Sequence, residues 1–183
     1  MDVTTTLLEL LKYTVPAVIV LISSYLIVNK FLVAQMQRKQ MAIFKESQDV
    51  TLRLRLQAYE RLVLFMERIT PRQIIPRVYD SSMTVRDLQT AITTTINAEF
   101  EHNLSQQIYV SNNVWQTVRS VKEQELTMVN QLARTLDPEA PGRELHARII
   151  EVLQKAEPDD LPTEIGLKII NEEATKILAY NSY

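Results

Sequence analysis

The sequence predicts an all-α protein: one N-terminal transmembrane helix continuing into a long juxtamembrane helix, then a cytoplasmic helical bundle. Three observations lead there. Tyr13–Val33 reads YTVPAVIVLISSYLIVNKFLV and carries no charge from Tyr13 to Asn29. A helix of roughly 20 such residues crosses the roughly 30 Å hydrocarbon layer of a bilayer. The following stretch, Ala34–Thr70, contains no Gly or Pro and is rich in Gln, Arg, Lys, Glu, Leu and Met, all good helix formers. Further on, apolar residues recur at three- and four-residue steps between Pro-containing turns, the period of amphipathic helices rather than strands.

In chain order, residues 1–12 form a short N-terminus expected outside the membrane. Asp2 and Glu9 occupy it with Lys12 as its only basic residue. A cleavable signal peptide has a basic leader and a small-residue cut site, so residues 13–33 read as an uncleaved anchor. Lys30, Arg38 and Lys39 flank the span on its C-terminal side, against Lys12 on the other. The Lys/Arg bias favours the cytoplasmic side, which places the N-terminus outside and the rest of the chain inside. Pro16 is expected to begin or kink the span, and Lys30 can snorkel to the headgroups.

Residues 34–70 form the juxtamembrane helix. Its apolar stripe is Leu52, Leu56, Tyr59, Leu62, Val63, Met66 and Ile69. Met41, Phe44 and Gln48 continue that face less regularly. Unbroken from Tyr13, such a helix would run roughly 85 Å. A short heptad-like pattern makes self-association through this helix, as a coiled coil, a further expectation.

Residues 71–183 make the helical domain. Pro71 and Pro76 mark 71–83 as a linker. Thr84-Val85-Arg86-Asp87 has the form of a capping box, opening a helix whose stripe runs Val85, Leu88, Ile92, Ile96, Phe100, Leu104 and Ile108. Ser111 or Asn112 can cap the next helix, from about 113 to 136, burying Trp115, Val118, Leu126, Val129, Leu132 and Leu136. DPEAPG at Asp137–Gly142 is a turn, and further helices follow at about 143–156 and from Pro162 to about Ala179. Short turns favour antiparallel neighbours in a bundle.

Composition removes several chemistries. With Gly only at 142 and 166, neither a P-loop nor a dinucleotide-binding fingerprint can be written. The absence of Cys removes disulfides, thiolate metal sites and cysteine nucleophiles. Net charge is −2 but uneven: 31–70 holds seven Lys/Arg against four Asp/Glu, and 134–183 six against ten. That basic collar suits a membrane surface. Nucleic acid is not an expected partner, since basic excess and base-stacking aromatics are lacking.

Glu99 and His102, three apart on a helix, could share one metal, but the di-iron pattern needs a second such pair. Arg143 stands three before the only other histidine, His146. A surface hydrogen bond is the simpler reading of the pair, and no cofactor is expected. Glu99–Gln107, EFEHNLSQQ, is unusually polar around Phe100 and Leu104. With Arg61 and Arg68, seven apart on one helix face, it gives a candidate interaction surface of Glu99, His102, Gln106, Arg61 and Arg68. Tyr59, Phe65, Phe100, Tyr109 and Trp115 read as core, with a groove for a partner helix as the sharper alternative.

QAYERLVLFMERITP (Gln57–Pro71), YDSSMTVRDLQ (Tyr79–Gln89) and EFEHNLSQQIYVS (Glu99–Ser111) together resemble an uncharacterised family of single-span proteins from Bacteroidota-type bacteria. The resemblance covers roughly Leu10–Leu136. It implies a bacterial inner-membrane topology and brings no activity and no site residues. The expectation is a non-enzymatic scaffold or tether with unknown protein partners. A structural subunit of a larger membrane machine, packing through Ser23 and Ser24, is the alternative. A metal enzyme using Glu99 and His102 is the remote one.

Overall fold

A computed structural model of the chain describes residues 3–180. The expected segments 1–12 and 71–183 extend past these limits, with Met1, Asp2 and Asn181 to Tyr183 outside the described residues. Six α-helices occur among the described residues and no strand: α1 (Val3–Ile69), α2 (Pro71–Val78), α3 (Val85–His102), α4 (Asn112–Arg134), α5 (Arg143–Lys155) and α6 (Pro162–Tyr180). Two compact units divide within α1, Met1–Thr51 and Leu52–Tyr183.

In the first unit the described positions are helical throughout. Pro16 lies inside α1 rather than starting it; its missing N–H leaves the Lys12 carbonyl without its usual donor. Thr14 Oγ1 donates to the Leu10 carbonyl at 3.0 Å. Every apolar side chain from Tyr13 to Val33 is exposed, as are Met41, Phe44 and Gln48. An 18-residue window here reaches a mean hydropathy of 2.1 with none of it buried, so α1 is long and apolar enough to cross a membrane.

The second unit has its own core. Tyr59, Leu62, Met66 and Ile69 of the expected stripe are buried, joined by Ala58 and Phe65. Their partners are Val85, Leu88, Ile92 and Ile96 of α3, Val114, Trp115 and Val118 of α4, and Leu145, Ile149 and Ile170 from α5 and α6. Those four positions of the stripe are therefore part of the unit's own core, whereas Leu52, Leu56 and Val63 are half-buried. The Phe100 ring stacks on Trp115 at 5.5 Å between centroids and meets Phe65 at 6.0 Å. Tyr59, Phe65 and Trp115 are buried, while Phe100 and Tyr109 are half-buried.

Two expectations fail in detail. Residues 71–83 are not all linker, because 71–78 form α2. Pro71 sits in the first turn, where no N–H is needed, and Pro71, Ile74 and Ile75 are buried. The break falls after Val78, where Tyr79 turns extended (ψ 130). The stripe from Val85 to Ile108 also stops early: α3 ends at His102, and Leu104–Ile108 is a 3₁₀ turn. Asn103 closes the helix by donating Nδ2–H to the Glu99 carbonyl at 2.7 Å. Leu104 and Ile108 are exposed rather than on a core face.

Local signals at helix starts match the geometry. The Thr84 hydroxyl accepts from the Asp87 N–H at 3.2 Å, and the Asp87 carboxylate accepts from the Thr84 N–H at 3.1 Å, a complete capping box. The Thr84 N–H and the Thr84 hydroxyl, both donating to the exposed Asp87 carboxylate, hold it below its ordinary range. Ser111 caps α4 by accepting from Val114 N–H. The Asp137–Gly142 turn does more than reverse the chain. Gly142 N–H donates to Met83 O at 2.8 Å and Val85 N–H to Ala140 O at 2.9 Å, fastening the turn to the start of α3. α4 packs against α3, α5 and α6.

Candidate functional site

Four of the five residues of the expected interaction surface are linked in pairs by hydrogen bonds. Arg61 and Arg68 project from α1 toward the end of α3: Arg61 Nη2 donates to the His102 carbonyl, and Arg68 Nη1 to Glu99 Oε2, both at 3.4 Å. Glu99 also accepts from Arg77 of α2 at 3.4 Å, a partner with no counterpart in the sequence reading. Arg77 Nη2 in turn donates to the Arg68 carbonyl at 2.7 Å. Gln106 is buried and donates to Ser105 Oγ, whereas His102 is exposed. Glu99 is thus held by two guanidinium groups rather than poised with His102. No group of three or more His, Asp or Glu among the described residues could hold a metal. Such part-exposed pairs contribute roughly 0–1 kcal/mol each and mainly set the register of α1, α2 and α3. Around them Glu101, Leu104, Gln107 and Ile108 stay exposed.

A second polar cluster pins the start of α4. Tyr59 Oη donates to Glu173 Oε1 and Ser111 Oγ to Glu173 Oε2, each at 2.5 Å, while Arg55 Nε donates to the Tyr109 carbonyl at 3.2 Å. Burial, reinforced by the Glu173 hydrogen bond, pushes the Tyr59 phenol up to about 12. Burial pushes Glu173 upward, but the bonds from Ser111 and Tyr59 and the nearby Arg55 charge outweigh it and leave the carboxyl lowered.

The third feature was not singled out from sequence. Glu125 of α4 is only 4% exposed, and its Oε2 has no hydrogen-bond partner. Burial raises its carboxyl to about 7. It lines two adjoining clefts, of about 470 and 190 Å³, that also share Leu153 and Leu161. Its signal lay in the helical period: Val114, Val118, Val121, Glu125, Val129 and Ala133 step along one buried face of α4, and Glu125 takes an apolar slot. Leu126, Leu132 and Leu136, expected in the core, are only half-buried.

Fold and site together define an all-helical protein with one apolar N-terminal helix and a polar-rimmed helical unit. The chain belongs to DUF7935, a family of unknown function, matching it over residues 5–177. That match reaches into α6, further than the Leu10–Leu136 covered by the resemblance. No curated protein and no solved structure matches the chain.

Proposed function

We propose that the protein is a bitopic component of the bacterial inner membrane, with Tyr13–Val33 as its span and the N-terminus outside. The Leu52–Tyr183 unit then lies in the cytoplasm and scaffolds or tethers a protein complex. One observation carries this reading: the most apolar window of the chain is wholly unburied, while a separate unit builds its core without it. Exposed apolar side chains over that length are stable in lipid, not water. The flanking Lys30, Arg38 and Lys39, against Lys12, support the orientation. Anchoring raises the effective concentration of the helical unit for partners at the same surface. Arg61, Arg68, Glu99 and His102, with exposed Leu104 and Ile108 beside them, form the face we assign to partner contact. Self-association has support elsewhere in α1, because exposed Met36, Ile43 and Val50 recur at seven-residue steps.

In-cell crosslinking and affinity capture of the full-length protein test the tether. Partners recovered with the intact chain and lost when the span is deleted are expected. The same partners recovered from a span-less soluble chain would overturn it. A chain that cannot be extracted apart from one fixed membrane assembly would favour the structural-subunit reading instead.

A further inference from the structure

We propose that Glu125 anchors a binding site for a small organic cation, with its ammonium in the narrower cleft and its apolar body in the wider one. The two clefts meet at the Glu125 side chain, which is 4% exposed and carries an oxygen without a hydrogen-bond partner. A buried acceptor with no donor is rare in folded proteins and points to a missing partner. The wider cleft, about 470 Å³, falls in the size range of small-molecule sites. Met128, Val152, Leu153 and Pro162 supply its apolar lining; its charged residues besides Glu125 are Glu123 and Asp160, and no Lys or Arg lines it.

The narrower cleft, about 190 Å³, adds Glu67 from α1 and Glu164 from α6 against the single Arg72 of α2, and α5 contributes only Leu153. Charge of this sign repels carboxylates and phosphates and attracts ammonium. A metal ion is a poorer fit, since no three acidic or imidazole groups among the described residues converge tightly enough to ligate one. Burial that raises Glu125 to about 7 keeps both its forms within reach near neutral pH. An ammonium beside it would favour the carboxylate.

The test uses the full-length chain in lipid nanodiscs, with glutamate side chains ¹³C-labelled. Phenethylammonium chloride is the probe, 2-phenylethanol its neutral isostere, and empty nanodiscs the reference for partitioning. The Glu125 carboxyl resonance is assigned by its loss in Glu125→Gln. The site predicts a saturable shift of that resonance and a titration midpoint lowered by a pH unit or more at saturation. The alcohol should bind at least tenfold more weakly, and Glu125→Gln should abolish the preference for amine over alcohol. Equal responses to amine and alcohol, or no saturable response, overturn the proposal. Where Glu125→Gln folds poorly, loss of the resonance in Glu125→Asp assigns it, and the amine–alcohol comparison in the unmutated chain decides. A lysine-bearing helical peptide that moves the resonance while phenethylammonium does not would also overturn it, marking a protein-docking groove.

Discussion

Replacing Glu125 by Gln should stabilise the helical unit at pH 8 and leave it nearly unchanged at pH 4.5. Burial raises the Glu125 carboxyl from 4.5 to about 7, so between these values the folded chain holds a proton that the unfolded chain has released. Stability from this group is fully present below the unfolded value and is lost as pH rises through the folded one. At about 1.4 kcal/mol per pKa unit, the loss amounts to about 3 kcal/mol. Gln is neutral at every pH and close to the protonated acid in shape, so the variant escapes that loss. The buried, single Trp115 reports urea unfolding of this unit in the full-length chain. With slopes of roughly 1–3 kcal/mol/M, the variant midpoint should exceed the wild-type midpoint by about 1–3 M at pH 8. The lowered carboxyls Asp80, Asp87, Glu151 and Glu173 cost stability as pH falls below the ordinary carboxylate range. They do so in both chains and cancel in the difference. A wild-type-to-variant difference that stays flat from pH 4.5 to 8 would refute the reasoning, because Glu125 would then be ionised and satisfied throughout.

Four other substitutions probe the packing and its hydrogen bonds, each read by the same urea midpoint. Gly142→Ala brings a Cβ within 3.0 Å of Met83 O and 3.1 Å of Thr84 O, backbone atoms that cannot swing aside, so a loss of about 1–3 kcal/mol is expected. Gly166→Ala meets the flexible end of Met66 at 3.1 Å and Val121 Cγ2 at 3.2 Å, side chains rather than backbone; with the helical gain of about 1 kcal/mol from Ala, it should cost less than Gly142→Ala. Thr84→Ala removes the cap of α3 and should cost about 1 kcal/mol. Tyr59→Phe removes a donor to a charged carboxylate, for about 2 kcal/mol, and should let the Glu173 titration midpoint rise in a ¹³C NMR titration.

Helix order and most helix starts were legible because they depend on neighbours in sequence. Thr84 and Asp87 lie three apart, and Ser111 directly precedes the helix it caps. The fate of apolar stripes was less legible, since it depends on tertiary partners. Leu104 and Ile108 continue the period of α3, yet Asn103 turns the chain and leaves both exposed. Pro71 and Pro76 look like breakers, but an eight-residue helix is short enough to take one in its first turn, and burial of Ile74 and Ile75 holds it. Spacing and polarity singled out Arg61, Arg68, Glu99 and His102, which hydrogen bonds link in pairs, whereas Gln106 is buried. Arg77 was missed because its approach to Glu99 needs α2 to fold back on α3. Glu125 was readable as a lone charge in an apolar slot, but its missing partner and its clefts belong to the packing of α4 with α5, α6 and α1.

Membrane crossing is tested most directly by single-cysteine labelling, which the cysteine-free sequence makes clean. Val3→Cys and Ser120→Cys place one thiol at an exposed position on either side of the proposed span. In spheroplasts treated with a membrane-impermeant maleimide, Val3→Cys should label at once and Ser120→Cys only after lysis. Labelling of Ser120→Cys in intact spheroplasts, or release of the chain from membranes by alkaline carbonate, would contradict the account.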